Sequence, residues 1–331
     1  MALHRLAADQ YIDGILAGNR VILSRAITLV ESLLPSDRTL ASEVVQKLLP
    51  YSGKSVRIGI TGVPGVGKST FIENFGQYLT QKGHKVAVLA IDPTSQRTKG
   101  SIMGDKTRME VLSHDPNAFV RPSPSGQTLG GVAQKTRESM LLCEAAGYDI
   151  ILIETVGVGQ SETAVRDMVD FFLLLLLAGA GDELQGIKKG IMEMADALVV
   201  HKADGDNITK AKLARLDYQN ALHLFPPQEN QWFPPVLLCS SLQKTGHEEI
   251  WETILTYQKQ TQENGFWEDN RRRQKLEWMK TYLHDYLIQQ FMQKEGRIQQ
   301  IETLEKRVLA DQLTPIQAVH ELLNTPTSSI L

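Results

Sequence analysis

Apolar residues follow two regimes along this chain. Over residues 1–50, Tyr11, Ile15, Val21, Leu23, Ile27, Val30, Leu33 and Leu34 recur at three- and four-residue spacing, the period of helices that bury one face. Asp37 is placed to cap a further helix through Val44, Val45 and Leu48 to Leu49, where Pro50 and Gly53 interrupt the pattern. From Val56 onward, short runs that are apolar throughout alternate with helical stretches. Residues 56–60, 85–91, 119–121, 150–153, 171–177, 198–201 and 236–239 read as strands. Helices are predicted from near Ser69 to about Lys82 and over 131–146, 184–194, 208–222 and 248–262. Strands without polar alternation suit a sheet covered on both faces, so the expected fold is α/β, a mostly parallel doubly wound sheet.

The pattern changes again beyond Phe266 and Trp267. Leu276, Met279, Leu283, Tyr286, Leu287 and Phe291 form a long amphipathic stripe with Trp278 and Tyr282 beside it, suited to packing on its own domain or on a second copy. Arg271, Arg272 and Arg273 just before it read as a solvated helix start rather than a phosphate contact. A last helix is expected over 315–323. The predicted organisation is a helical N-terminal extension over 1–50, a core domain over 51–263 and a helical arm over 264–331.

Composition narrows the partners more than the fold. The 331 residues suffice for one nucleotide-binding domain and about a hundred residues more. A formal net charge of −3 argues against nucleic acid as a general partner. Cys143 and Cys239 read as buried apolar residues of a reducing compartment, not as a disulfide. The N-terminus, with Asp9 and Asp13, lacks a signal-peptide pattern, and the apolar run 171–178 is too short to span a bilayer. A soluble, cytoplasmic protein is expected.

Between the first strand and its helix, Gly62, Val63, Pro64, Gly65, Val66, Gly67, Lys68, Ser69 and Thr70 carry the spacing G-x-x-x-x-G-K-[ST] of a phosphate-binding loop. Glycines let backbone N–H groups turn inward around phosphate oxygens, and the helix N-terminus adds partial positive charge. Lys68 is expected on the β- and γ-phosphates and the Ser69 hydroxyl on Mg²⁺.

Further along, the strand ending in Glu154 is followed by x-x-G at Gly157, an arrangement in which a carboxylate holds Mg²⁺ and a glycine N–H senses the γ-phosphate. Glutamate in place of aspartate suits a water-mediated metal contact. Asp92, after the second strand, and Asp105, in a segment without periodicity, are two more candidate acids. His201, Lys202 and Asp204 stand where an N-K-x-D motif reads guanine: the Asp204 carboxylate can accept from the base N1–H and 2-amino groups, which adenine lacks. The stem of Lys202 can cover the base. His201 replaces the usual asparagine and retains one ring N–H donor. Ser240, Ser241 and Leu242, after the last strand, are placed to support the base.

These segments, with I-D-P-T-S, S-I-M-G-D-K-T-R-M, E-T-V-G-V-G-Q-S-E and G-A-G-D-E-L-Q-G-I-K-K-G-I-M-E, closely resemble the methylmalonyl-CoA mutase-associated GTPases, the MeaB/ArgK family, over most of residues 1–323. The resemblance implies a homodimeric P-loop GTPase whose C-terminal arm dimerises. It implies GTP and GDP as ligands with Mg²⁺, and Asp92, Asp105 and Glu154 as magnesium and switch residues. Residues 182–189, with Asp182, Gln185, Lys188 and Lys189, would relay nucleotide state to a partner. That partner would be an adenosylcobalamin-dependent acyl-CoA mutase, which the GTPase protects and helps load with cofactor. Val158 stands where small signalling GTPases place a water-orienting glutamine, so intrinsic hydrolysis is expected to be slow and speeded by a partner. Three other readings stand beside this one: a nucleotide-dependent protein kinase linked to basic amino-acid transport, a metal-delivery GTPase, and a structural oligomer with a vestigial nucleotide. Eight scattered histidines and two cysteines remote in sequence do not supply the metal-binding tracts of the second.

Overall fold

A computed structural model describes residues 5–91, 109–122, 129–155, 161–179, 189–294 and 296–324. The chain forms two compact units, residues 1–274 and 275–331.

The first unit is built on seven parallel strands in the order β3-β2-β4-β1-β5-β6-β7. These are β1 (Val56–Gly62), β2 (Val86–Ile91), β3 (Ala118–Arg121), β4 (Ile150–Thr155), β5 (Phe171–Leu177), β6 (Ala197–His201) and β7 (Val236–Cys239). β1 lies between β4 and β5, with Ile60 opposite Glu154 and Leu173. The chain leaves β1 for β2 on one side of it and leaves β5 for β6 on the other, so the carboxyl end of β1 opens at the switch point where α/β sheets bind ligands.

Alternate residues feed two cores, one on each face of the sheet. Val88, Leu152 and Ile58 join Phe71, Phe75 and Leu79 of α4 (Lys68–Gln81), with Ile254 and Tyr257 of α10 (His247–Glu263). Leu89, Ile151 and Ile153 face the other way. There they meet Val132 and Leu142 of α6 (Leu129–Ala145), and the same core takes in α1 (Ala8–Leu16), α2 (Arg20–Glu31) and α3 (Pro35–Leu48) through Ile15, Ile27 and Val44. The N-terminal helices are thus part of the layer that covers the sheet. Short helices α5 (Glu110–His114), α7 (Ser161–Arg166) and α8 (Lys189–Met194) and the longer α9 (Ile208–Leu222) complete this unit. Too few residues to register a helical period explain why α5 and α7 were not expected.

Two sequence expectations change here. Asp37 does not cap α3, which begins at Pro35; it lies buried inside the first turn, where Arg5 donates to both carboxylate oxygens, one at 3.0 Å. Nor is Arg271 part of a solvated helix start. Near the beginning of α11 (Phe266–Met292) its Nε and Nη2 donate to Asp170 at 2.7 Å each, and it also donates to the Gly53 and Ser55 carbonyls. An aspartate before β5 and two carbonyls before β1 supply acceptors that sequence order keeps a hundred residues or more away. Arg272 and Arg273 do pair on the surface, with Asp269 and Glu229.

The second unit holds the rest of α11 with α12 (Arg297–Leu309) and α13 (Pro315–Asn324). On α11 the predicted stripe stands exposed, with Leu276, Met279, Leu283 and Leu287 each more than half accessible. Among the described residues no helix is long and apolar enough to cross a membrane.

Candidate nucleotide site

Strand β1 ends and α4 begins within six residues, and the turn between them depends on its glycines. A Cβ on Gly62 would stand 2.5 Å from the Leu175 carbonyl oxygen of the neighbouring strand. Gly67, the residue before α4, has φ +98°, and a Cβ there would meet the His201 ring at 3.0 Å. Larger residues would push the loop off β5 or off the imidazole. Lys68 curls back to donate from Nζ to the Gly62 carbonyl at 2.7 Å, with the Val63 carbonyl at 3.5 Å. Burial lowers its pKa, while the Glu154 and Glu162 carboxylates oppose that shift. The ammonium is thus held over the loop by weak, neutral acceptors that a phosphate can replace.

At the end of β4, the buried Glu154 accepts from the Ser69 hydroxyl at 3.2 Å. Beside it the Thr155 hydroxyl donates to the Thr61 oxygen at 2.9 Å, tying the ends of β1 and β4. A serine hydroxyl and a carboxylate in one place are hard oxygen donors of the kind Mg²⁺ takes, so these residues fit the ion the sequence calls for. Glu162 was not singled out from sequence, although it lies in the quoted E-T-V-G-V-G-Q-S-E segment. Its role emerges only because α7 brings a buried carboxylate within electrostatic reach of Lys68. Asp92, Asp105, Gly157, Asp182, Gln185 and Lys188 lie outside the described residues, and Lys189 opens α8.

Two of the residues expected to read the base, His201 and Lys202, converge on the same loop. Lys202, at φ +58°, reaches across to donate to the Gly65 carbonyl at 2.8 Å. Ser240 is fully buried and donates its hydroxyl to Asp204, while accepting from the Gln243 N–H at 3.0 Å. That fixes one carboxylate oxygen. Leu242 beside it is 84 % exposed.

His201 behaves differently from the expectation that its ring would offer a bond to the base. It is buried, with Nδ1 2.8 Å from the Val66 carbonyl and Nε2 2.7 Å from the Ser241 hydroxyl. A carbonyl can only accept, so Nδ1 carries the proton, and Nε2 accepts from Ser241. Burial lowers the His201 pKa and so favours the neutral ring. Both nitrogens are therefore engaged within the protein, bracing the phosphate loop against the loop that holds Asp204.

Comparison with known proteins agrees with this geometry. Residues 23–296 match the family model described as methylmalonyl Co-A mutase-associated GTPase MeaB. The chain belongs to the MeaB family. A Caulobacter vibrioides protein named as a GTPase is 52 % identical over 96 % of this chain and 97 % of its own length. The mouse protein named methylmalonic aciduria type A homolog, mitochondrial, is 45 % identical over 95 % of this chain and 78 % of that one. A crystal structure titled LAO/AO transport system kinase superposes with a TM-score of 0.76 at 38 % identity, covering 98 % of both chains. Membership of the MeaB family makes this a P-loop GTPase that hydrolyses GTP to GDP and phosphate.

Proposed function

We propose that this MeaB-family GTPase is a chaperone for an adenosylcobalamin-dependent methylmalonyl-CoA mutase, gating cofactor loading and protecting the partner. The observation that carries the reading is the family match itself, whose description names the mutase, joined to a mouse relative named for methylmalonic aciduria. The residues of the site support the nucleotide half of it. Residues 62–70 cradle the phosphates, with Lys68 neutralising charge on the β- and γ-phosphates as the bond to the leaving phosphate lengthens. Ser69 and Glu154, with Asp92 and Asp105, hold Mg²⁺, which supplies further neutralisation of that charge. Asp204, oriented by Ser240, reads guanine; Lys202 lies along the base, and the Ser241 and Leu242 backbone closes its other side. Gly157 and residues 182–189 report nucleotide state to the mutase. Hydrolysis is slow in the isolated protein and speeded by the partner, in the cytoplasm.

The exposed stripe on α11 supports the homodimer. Four apolar side chains at helical spacing in water are costly unless a second copy covers them. A kinase drawing on ATP would need an adenine site, and the Asp204 oxygen not held by Ser240 would find no donor on that base.

The test is co-elution of the purified protein with a cobalamin-dependent methylmalonyl-CoA mutase in a non-hydrolysable GTP analogue, GDP or no nucleotide. A complex that forms with the analogue and differs in stability with GDP, together with faster GTP turnover on adding mutase, is expected. No complex in any nucleotide state would reduce the reading to a guanine-nucleotide switch, and tight ATP with weak GTP binding would replace it with the kinase.

A further inference from the structure

Away from the nucleotide site, a groove of about 720 Å³ opens between α2, α5 and β3. Three consecutive residues of the strand, Phe119, Val120 and Arg121, line it. A sheet face presents alternate residues, so an unbroken run means that the groove follows the strand's edge. Among the described residues β3 is the terminal strand and pairs with β2 alone. The bond from the Val86 N–H to the Asn117 carbonyl, 2.9 Å, fixes the phase of that pairing. In a parallel pair a residue turns both its N–H and its C=O to the same side, alternating along the strand. Asn117, Phe119 and Arg121 therefore face β2, and Val120 directs its backbone groups into the groove. Ala118, the other outward residue of the strand, already gives its N–H to the Asp115 carbonyl at 3.1 Å, so Val120 is where this edge can take one more strand.

Charge selects the strand that fits. Among the described residues, Arg20, Arg25 and Arg121 line the groove against one carboxylate, Glu110. Arg121 is paired with Glu31. Arg20, in contrast, donates to the neutral carbonyls of Ser113 at 3.2 Å and Asp115 at 3.0 Å, contacts that hold the guanidinium in place without cancelling its charge. Val21, 68 % exposed at the same wall, adds an apolar contact.

We infer that this groove takes an extended acidic segment of a partner protein, which adds a strand to the edge of β3 through Val120 and sets carboxylates against Arg20 and Arg25. The inference needs neither bound nucleotide nor the identity of the partner proposed above.

The probe is a fluorescein-labelled octapeptide of alternating glutamate and valine, titrated into the full-length protein by fluorescence anisotropy. Saturable binding is expected, weakening about tenfold from low to high salt as exposed charges are screened. Slower hydrogen exchange at the Val120 amide should accompany it. Val120→Pro removes the outward N–H while leaving the β2 side of the strand its bonds, and Arg25→Glu reverses one charge. Each should weaken the peptide about tenfold, the scale of one lost interaction, with GTP hydrolysis unchanged. Should Val120→Pro fail to fold, Arg25→Glu and exchange at Val120 in the unaltered protein still decide. Absence of saturable binding, equal binding of a lysine–valine peptide, or binding that leaves Val120 exchange unchanged overturns the inference. So does tripolyphosphate binding with the peptide left unbound, which would mark a site for small anions.

Discussion

The two ends of the sheet use polar residues in opposite ways. At the amino ends of the strands three buried carboxylates are each answered. Glu144 accepts from the Gly53 N–H, the Ser55 hydroxyl and two nitrogens of Arg57; Asp170 accepts from the Arg57 N–H and from Arg271; Asp196 takes the Phe172 N–H and pairs with Arg166. Burial pushes the Glu144 pKa up, and Arg57 with its neighbours outweighs that, leaving the carboxylate below its ordinary value. At the carboxyl ends the groups are positioned by neutral neighbours: Lys68 donates to carbonyls, Glu154 accepts from the Ser69 hydroxyl and Asp204 from Ser240. Saturation marks a joint of the fold, whereas positioned groups with weak neutral partners mark a place kept for a ligand.

Mutation should separate the two ends. Removing the Glu144 carboxylate with Glu144→Ala leaves Arg57 buried and unanswered, and should cost about 3–5 kcal/mol in urea-induced unfolding. Retained protein should bind GTP normally. Lys68→Ala should do the reverse, lowering single-turnover GTP hydrolysis about 10²–10³-fold with little change in unfolding midpoint in the absence of nucleotide.

Acid probes the same contrast without mutation. His247, buried among Phe71, Phe75 and Tyr78 with Nε2 lacking a hydrogen-bond partner, has its pKa lowered to about 4 by burial, with His201 and Lys244 adding to the shift. Below about pH 6.5 the unfolded chain takes up a proton that the folded chain refuses. His247's contribution to stability is therefore fully present above that value and is lost as pH drops toward 4, by on the order of 3 kcal/mol, while Asp196, its pKa pushed up to about 6 by burial, works in the opposite direction over the same range. Glu144, with its lowered pKa, does not join the loss until more acid conditions. In thermal melts from pH 7 to 4, His247→Phe should lack this loss and so gain stability relative to the unaltered protein as the pH falls. A slope unchanged in that variant would place the titration elsewhere.

The smallest effect should come from the brace. His201→Leu removes both its bonds and should weaken GTP about tenfold by calorimetry. His201→Asn, whose amide can donate to the Val66 carbonyl and accept from Ser241, should stay within a fewfold of the original. A tenfold loss with asparagine as well would mean that the ring does more than tie two loops together.

A residue's role is legible in the sequence where its partner is local. The phosphate loop was legible because its chemistry is confined to nine consecutive positions, and all seven strands were legible because a sheet covered on both faces leaves unbroken apolar runs. The short helices α5 and α7 carried no readable period, and Glu162 on α7 went unassigned with them. Arg271 looked solvated and Asp37 looked like a cap because their partners, Asp170 and Arg5, stand 101 and 32 positions away.

By itself, then, the sequence determined the parallel α/β architecture, the phosphate-binding loop and the preference for guanine, each written in local spacing or in the period of apolar side chains. Only the tertiary structure decided that His201 braces two loops, that Glu162 acts on Lys68, that Arg271 anchors α11 to the feet of β1 and β5, and that Val120 faces outward. Those depend on which distant segments the sheet brings side by side, and side chains answer to their neighbours in space whatever their order along the chain.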